Sequence, residues 1–435
     1  MKIKSMILVL FVIISGYGQE RKELSLTTFL NKVKSENLSL RKSVQEIEQF
    51  KADFVQSNAL FLPSISASHT AMVTTNPLMA FGSKLNQGIL TPNDFNPNLL
   101  NNPVAIRNFA TIIKVEQPIL NLDGLFQRKA AKNALDAKKL EANRKTDYII
   151  TEAKKAYMQL QLTYEGLEVF KNAKKLIDQL QVQTANFYKE GLIQKSDVLS
   201  VEIRKVEIDN AITSTESQII NLSNFISFLM NEKGTLRYAP AENLQLNTNT
   251  NFNSIELPKN RSDLKAMELA TTSRKNMMQS EKMSYLPRLN AFGSYELYDN
   301  QIFQGGSNGY VVGAQLSWDI FKGSKRVGKI QKTTAQYEES KLALEEYQLQ
   351  SQIEFTKTKQ ALVDAERNVK LSKLTLEQSQ EVLRIKSNRY KEGLEKATDV
   401  LAIETKVIQK QFEYLQAIYN YNHINNYLEF LTKEN

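Results

Sequence analysis

The segment NFYKEGLIQKSDVLSVE at residues 186–202 occurs a second time, as NRYKEGLEKATDVLAIE at residues 388–404. Ten of the seventeen aligned positions are identical, and the alignment continues without a gap to Leu229 and Leu431. Upstream, Leu62-Pro63 corresponds to Leu286-Pro287. Internal self-similarity of this kind is the signature of a duplicated structural unit. We therefore predict that two copies of one unit fill almost the whole mature chain.

Each unit is predicted to contain a helix, a strand pair, a long helix, a turn and a last helix. No proline lies between Pro118 and Pro240 or after Pro287, so only glycines and capping residues can end a helix there. Gly191 and Gly393 are the predicted ends of the two long helices. At 1.5 Å per residue, each long helix would extend on the order of 90 Å.

The predicted segments follow from this order. The first repeat is expected to have a strand pair at about 62–75 and 106–119, and the second at about 287–298 and 309–320. The segments are a signal peptide at 1–18, a first repeat at 19–233, an inter-repeat equatorial segment at 234–261 and a second repeat at 262–435.

The first residues have the pattern of a secretory signal peptide. Lys2 and Lys4 precede an apolar run that ends at Ile14, and Gly16 and Gly18 supply small residues for cleavage. This run is about half as long as a membrane-spanning helix requires, and no later stretch approaches that length. The chain has no cysteine for lipidation, a disulfide or a thiolate metal site. Any membrane attachment must therefore come from folded structure.

Composition argues against nucleic-acid binding and against catalysis. The 56 basic residues are interleaved with 47 acidic ones, so the net charge of +9 is best explained by solvated helix faces rather than by a nucleic-acid surface. His69 and His423 are the only histidines, and no nucleotide-binding glycine pattern follows a strand. We predict no enzymatic activity, no cofactor and no metal site.

The predicted strands alternate between apolar and polar residues. Val312, Leu316 and Trp318 alternate with Gln315 and Asp319, which gives one apolar face. A half-buried soluble sheet would show the same pattern. Four strands cannot close an outer-membrane barrel, which begins at about eight. Two copies would supply eight strands and three would supply twelve; only twelve leave room for an aqueous lumen, which favours a trimer.

The long helix of the second repeat has two narrow stripes. The first steps by three and four, as expected of a coiled-coil seam; its residues are Phe355, Thr358, Leu362, Ala365, Val369, Ser372, Leu376, Ser379 and Leu383. The second is formed by Leu371, Leu374, Val382 and Ile385. One stripe alone fits an ordinary two-stranded coiled coil, whereas two predict neighbouring helices on both sides.

Several motifs recur in the order of a known family. The turn Tyr-x-x-Gly-Leu-x-x-x-Thr/Ser-Asp-Val-Leu is present twice, Leu-Pro precedes a strand in each repeat, and the second strands end near Gln117-Pro118 and Trp318-Asp319. In these features the chain resembles TolC-like outer membrane efflux proteins along its mature length. The resemblance implies a mainly α fold with a small β part. In it, long antiparallel helical hairpins form a periplasmic tunnel, and four strands per chain contribute to a trimeric twelve-stranded transmembrane β-barrel.

The same resemblance implies location and partners. The protein would lie in the cell outer membrane and extend into the periplasm as a homotrimer, in contact with outer-membrane lipid, a periplasmic adaptor protein and an inner-membrane pump. It would be the exit duct of a tripartite efflux or secretion system. The alternative is a structural or adhesive coiled-helix protein of the cell envelope, which would not need two aromatic strand pairs.

The resemblance also assigns two candidate sites. The periplasmic gate corresponds to Asp197, Asp399, Tyr390 and Glu395. The adaptor-docking tips correspond to Lys189, Gly191, Leu192, Lys391, Gly393 and Leu394. For Asp197 a helix-capping role is an equally good interpretation.

The gate departs from the family pattern at two positions. Glu395 occupies the latch-arginine position, and Ala402 occupies a second lumen-aspartate position. Without that arginine, closure could use the Tyr390 hydroxyl, helix packing, Lys391 or Lys396. Acidic groups gathered in the constriction of a trimer would raise one another's pKa.

Overall fold

The computed structural model describes residues 21–234, 236–247 and 256–434. The predicted signal peptide at 1–18 lies outside this range. The strands, in chain order, are β1 (Arg21–Leu24), β2 (Ser64–Thr74), β3 (Ile106–Leu120), β4 (Arg237–Pro240), β5 (Arg288–Asp299) and β6 (Ser307–Ser317). The α-helices are α1 (Leu26–Glu36), α2 (Leu38–Gln56), α3 (Pro77–Asn86), α4 (Pro97–Asn101), α5 (Leu122–Lys189), α6 (Lys195–Leu229), α7 (Ser262–Met283), α8 (Lys325–Lys391) and α9 (Ala397–Thr432).

The predicted fold class, mainly α with a small β part, is confirmed. Helices α5 and α8 contain 68 and 67 residues, which corresponds to about 100 Å each. The chain divides into two compact units, and each takes segments from both repeats. The first unit contains the described residues of Met1–Val44 and Ala142–Arg261 together with Leu349–Asn435; the second contains Gln45–Glu141 and Ser262–Gln348. Among the described residues, no helix combines the length and hydropathy needed to cross a membrane.

The first unit is a helical core. The first predicted stripe of α8 is buried from Phe355 to Ser379, and it packs against Ala417, Tyr421 and Leu428 of α9. The second stripe is exposed; its members are Leu371, Leu374, Val382 and Ile385. One side of this part of α8 is therefore covered by its own chain, whereas the other remains open.

The described residues of the inter-repeat segment pack on the first unit. Its strand β4 pairs in parallel with β1, from Arg21↔Arg237 to Leu24↔Pro240. Further along, Leu244 packs with Met158 of α5 and Leu415 of α9. The Asn422 side chain donates to the carbonyl of Gln245 at 2.7 Å and accepts from the backbone N–H of Asn247 at 2.9 Å. The sequence analysis did not include this two-stranded sheet.

The second unit is built around an antiparallel sheet in the order β2-β3-β5-β6. The register places one row from each strand on the same face, as Ala67, Ile113, Tyr295 and Tyr310 illustrate. This surface, the apolar face, is formed by Ile65, Ala67, His69, Ala71, Val73, Phe109, Thr111, Ile113, Val115, Gln117, Leu289, Ala291, Gly293, Tyr295, Leu297, Tyr310, Val312, Ala314 and Leu316. At one end of the sheet, Arg107, Asp299 and Asn308 lie on the same face. The opposite face carries most of the serines, asparagines and charged residues of the sheet. Strand β6 ends at Ser317, so Trp318 and Ile320 lie beyond the ladder rather than within the strand that was expected to reach 320.

His69 interrupts the apolar face because it has a partner there. Its Nδ1 lies 2.8 Å from the hydroxyl of Thr111, the residue directly opposite on β3. The ring also stacks on Phe303, with ring centroids 4.4 Å apart. Phe303 belongs to the β5–β6 connection, which folds over this end of the face. The contact between Nδ1 and Thr111 is thus internal and shielded by an aromatic ring, whereas the buried Nε2 of His69 has no hydrogen-bond partner among the described residues.

The connection between β2 and β3, which is rich in Asn and Pro, contains helices α3 and α4. Each begins with an Asn-Pro pair. Asn76 accepts a hydrogen bond from the backbone of Met79, Asn96 accepts one from that of Asn98, and proline follows as the first helical residue. Asparagine is a good N-cap, and proline is tolerated at the next position because its missing N–H has no helical partner.

We predict that Thr111→Val destabilises the protein by about 1–3 kcal/mol, because the partly buried Nδ1 of His69 loses its partner. The double change His69→Phe with Thr111→Val should recover most of that loss. Thr70→Val, on the opposite face, is the matched control and should change stability by less than about 0.5 kcal/mol. Thermal unfolding followed by circular dichroism measures all three; an equal effect of Thr111→Val and Thr70→Val would contradict the assignment.

Candidate functional site

The two repeated turns have the same backbone structure. Gly191 and Gly393 adopt φ of +70° and +72°. The backbone N–H of Leu192 donates to the carbonyl of Phe187, and that of Leu394 to the carbonyl of Arg389, both at 2.9 Å. Together with bonds of 3.0 Å from each glycine to the carbonyl three residues back, these contacts form a Schellman motif, which needs a residue in the left-handed conformation. Glycine is retained in both turns for this backbone reason.

All six predicted docking residues lie on these turns. Lys189 and Lys391 are exposed, and a side chain added at either glycine would meet no atom within 4 Å. Leu192 and Leu394 are 69% and 66% exposed. Each turn therefore presents an apolar side chain to solvent between charged neighbours, although a Schellman motif commonly buries the residue at this position.

The two predicted gate aspartates lie in the first turns of α6 and α9. The carboxylate of Asp197 accepts a hydrogen bond of 3.2 Å from the backbone N–H of Gln194 and completes a capping box. Asp399 holds the equivalent position in α9 and is exposed. Asp197 thus has the capping contact that the alternative interpretation expected.

Tyr390 is buried within the first unit. Its hydroxyl lies 2.8 Å from the hydroxyl of Thr184, and its ring meets Phe187 edge-on with centroids 5.7 Å apart. Burial raises the pKa of Tyr390, and the negative charge of Asp197 adds to this effect. Tyr390 joins α8 of the second repeat to α5 of the first.

Glu395 is neutralised by cations of its own helical hairpin. It pairs with Lys386 at 2.5 Å and with Arg389 at 3.2 Å. Lys386 and Arg389 hold the pKa of Glu395 below its usual range. Within the chain, the lowered pKa of Glu395 is opposite to the raised pKa expected for clustered acids, because Lys386 and Arg389 both pair with it.

One ion pair was missed by the sequence analysis. Glu404 is almost completely buried, and its Oε2 accepts from Arg204 of α6 at 3.0 Å. Burial raises the pKa of Glu404, although the charge of Arg204 opposes this shift. Its other oxygen has no hydrogen-bond partner among the described residues. A signal was present in the sequence, since Glu404 continues the buried row of Ala397, Val400, Leu401 and Val407.

The two histidines are far apart in sequence and have different roles. His69 belongs to the sheet, whereas His423 of α9 stacks on Tyr419 with centroids 6.2 Å apart. Burial lowers the pKa of His423. In the part of the chain that the structure describes, no three histidine or carboxylate side chains gather as a possible metal site.

Comparisons with known proteins agree with this architecture. A sequence model of the family described as "Outer membrane efflux protein" matches residues 256–432, which is nearly the whole second repeat. Over these residues the chain is similar to outer membrane efflux proteins. The predicted resemblance is therefore confirmed. A comparison with curated protein sequences gives no match.

Solved structures extend the likeness in fold to both repeats of the chain. The outer membrane protein VceC from Vibrio cholerae superposes with a TM-score of 0.80 at 14% identity, covering 94% of this chain and 96% of that one. A membrane protein from Pseudomonas aeruginosa gives 0.81 at 16% identity, with 94% and 92% covered. The open state of the Neisseria gonorrhoeae MtrE outer membrane channel gives 0.74 at 14% identity, with 94% and 88% covered. The chain therefore has their fold over nearly its full length.

We predict opposite effects of alanine at two exposed glycines of α8 and its turn. Gly393→Ala should destabilise the protein by about 1 kcal/mol because an L-residue is strained at positive φ. Gly328→Ala, inside α8 with open space around it, should stabilise by up to about 1 kcal/mol. Chemical denaturation provides the comparison; a loss of stability in both variants would refute the turn assignment.

We also predict that Arg204→Met destabilises the protein by about 3–5 kcal/mol, because Glu404 is left as an unpaired buried charge. Since the pKa of Glu404 is already raised, protonation relieves the variant, and the deficit should be smaller at about pH 5 than at about pH 8.

Two further variants test the pair. Replacing both partners, with Arg204→Met and Glu404→Leu, should restore stability to within about 1 kcal/mol. Glu207→Ala removes only the exposed second partner of Arg204 and should cost less than about 0.5 kcal/mol. If Arg204→Met behaved like Glu207→Ala in thermal unfolding, the pair would have no structural role.

Proposed function

We propose that the protein is the outer-membrane exit duct of a tripartite efflux or secretion system, and that it passively conducts solutes from a periplasmic adaptor and an inner-membrane pump to the exterior. The observation that carries this proposal is the four-stranded sheet. It has one continuous apolar face and two edge strands, β2 and β6, that have a single neighbour each within the described chain.

Three copies satisfy both features of the sheet. Pairing β6 of one copy with β2 of the next closes twelve strands and leaves no free edge. The apolar face then contacts lipid, while the opposite, polar face lines a lumen. Both edge strands have 11 residues, which matches the length needed to cross a bilayer at a tilt. In a soluble adhesive protein, the same face and edges would promote aggregation.

The helices support the same assembly. The exposed stripe of α8, with Leu371 and Leu374 at its centre, offers an apolar surface that a neighbouring copy would cover. The tip leucines Leu192 and Leu394 would contact the adaptor, together with Lys189, Lys391 and the two glycines. A homotrimer would present six such turns. No catalytic role is part of this proposal.

The gate is proposed to use bonds between the two repeats. Tyr390 would hold the closed state through Thr184, and Asp399 would supply an acidic ring that favours cations. Asp197 would act mainly as a helix cap. Glu395 would hold its own turn together through Lys386 and Arg389 rather than form a latch.

Single-channel recordings in planar bilayers test the duct and the gate. The wild-type protein should form cation-preferring channels that close for long periods. Asp399→Ala should lower both the preference for cations and the degree of block by multivalent cations. Tyr390→Phe should increase the leak current through the closed channel, because the hydrogen bond to Thr184 is lost.

Asp364→Ala is the matched control, since Asp364 is an exposed acid of α8 paired with Arg367. It should leave selectivity unchanged. Absence of any conductance would contradict the duct. If Asp399→Ala left ion selectivity and multivalent-cation block unchanged, Asp399 would have no role in the gate and would serve only at the start of α9.

A further inference from the structure

A cavity of about 280 Å³ opens within the second unit, where α7 ends and α8 begins. Two of its lining residues, Arg288 and Ser317, lie opposite each other at the ends of β5 and β6. The next pair along these strands, Leu289 and Leu316, belongs to the apolar face. Because successive residues of a strand point to opposite faces, Arg288 and Ser317 belong to the polar face. The cavity therefore lies on the polar side of the sheet.

Basic residues outnumber acidic ones by five to three around this cavity. Two of the basic residues, Lys325 and Arg326, have no carboxylate partner within the described ranges, and they leave the cavity with an excess of two positive charges. Each of the three acids pairs with one of the other basic residues: Asp123 with Arg288, Asp319 with Lys322, and Glu281 with Lys329 at 3.7 Å.

These two cations occupy the first turn of α8, where helices ordinarily favour acidic residues. The N-terminal end of a helix carries a partial positive charge, so it repels Lys325 and Arg326. Helix α8 has no acidic residue in its first turn to compensate, whereas α5 has Asp123 there. Asp123 and Lys325 lie equally far from the ends of their helices at Lys189 and Lys391. The second repeat therefore has a cation where the first has an acid.

The two guanidinium groups of the cavity are fixed in place and keep donors available. Arg288 uses two N–H groups on the buried carboxylate of Asp123, which leaves its other N–H donors for a ligand. Arg326 donates to the carbonyl of Asp319 at 2.8 Å, and it lies over the Tyr285 ring, 4.5 Å from the ring centroid. Charged donors that their own partners already hold lose little freedom when an anion binds, which favours binding.

We propose that this cavity binds a small dianion with carboxylate or phosphate oxygens, and that such anions are among the solutes that the duct conducts. Lys325 and Arg326 balance the two negative charges, and Arg288 adds hydrogen bonds to the oxygens. The N–H groups at the start of α8 add to the attraction. The volume lies below the range of drug-sized pockets, which limits the ligand to a small molecule.

This inference rests on the proposed function, in which the polar face lines the lumen. It names the chemical class of one group of solutes. The cation preference proposed for the closed channel concerns Asp399 of the first unit, whereas this cavity belongs to the second unit.

Isothermal titration calorimetry of the full-length protein in detergent tests the site. Disodium succinate is the dianionic probe, and sodium succinamate, which has nearly the same size, is its monoanionic counterpart. We expect succinate to bind at least about tenfold more tightly than succinamate, and sodium chloride to weaken the binding. Disodium hydrogen phosphate should displace succinate, and the tighter of the two dianions identifies the ligand as a carboxylate or a phosphate.

Lys325→Asp gives α8 the acidic start that α5 has. This variant should unfold at a temperature no lower than that of the wild type, and it should bind succinate more than about tenfold more weakly. Lys332→Asp is the matched control, because Lys332 is an exposed lysine of the same helix that does not line the cavity. It should change the affinity for succinate by less than about twofold.

Four results would overturn the site. They are equal affinity for succinate and succinamate, equal effects of Lys325→Asp and Lys332→Asp, failure of phosphate to displace succinate, and absence of succinate binding. The last result is expected if a carboxylate of a neighbouring copy fills the cavity.

Reversal potentials of open single channels in planar bilayers test the passage of anions. In a gradient of dipotassium succinate, Lys325→Asp should lower the permeability to succinate relative to potassium by at least about twofold, whereas Lys332→Asp should leave it unchanged. Unchanged permeability in Lys325→Asp would overturn the claim that the duct conducts these anions. Channels without succinate binding would remove the site and leave the duct. Succinate binding in a protein that forms no channels would remove the duct and leave the site.

Discussion

Strands β2 and β6 each have a row of backbone N–H and C=O groups that no other strand of the described chain pairs. Unpaired backbone groups in an apolar environment are costly, and exposed edges invite association. Four strands are too few to close into a barrel, so β2 and β6 of one chain cannot pair with each other. The exposed stripe of α8 and the apolar face of the sheet likewise leave apolar side chains uncovered. A symmetric assembly of identical copies resolves all three at once, which is the physical basis of the proposed trimer.

The two repeats contribute matching segments to such an assembly, but residues at matching positions have different roles. Tyr188 and Tyr390 occupy the same place in the repeated turn, yet the first is 46% exposed and the second is buried against Thr184. Glu202 is exposed whereas its counterpart Glu404 is buried with Arg204. Identical residues therefore serve as solvent-facing groups in one repeat and as links between repeats in the other. The gate candidate Tyr390 and the buried acid Glu404 both owe their contacts to this asymmetry.

Much of the fold could be predicted because its signals are local. Proline-free runs and the glycine turns indicate where α5 and α8 end, and two-residue alternation identifies the strands of the sheet. Pairing between distant segments was harder to predict. Strands β1 and β4 are four residues each, too short for a periodic signal, and the Arg204–Glu404 bond joins residues that only the packed helices bring together. Helices α3 and α4 were missed because Asn and Pro mark both turns and helix starts.

The pairing of β3 with β5 also has a consequence for how the protein folds. Phe109 lies opposite Asp299, so the two hairpins of the sheet meet only after a long intervening helical stretch has been made. Helices form locally and quickly, whereas such distant strand pairing requires closure of a large loop and is slow. During this delay the apolar face and four strand edges are open to other chains. The folding pathway therefore includes an interval in which the chain is prone to aggregate.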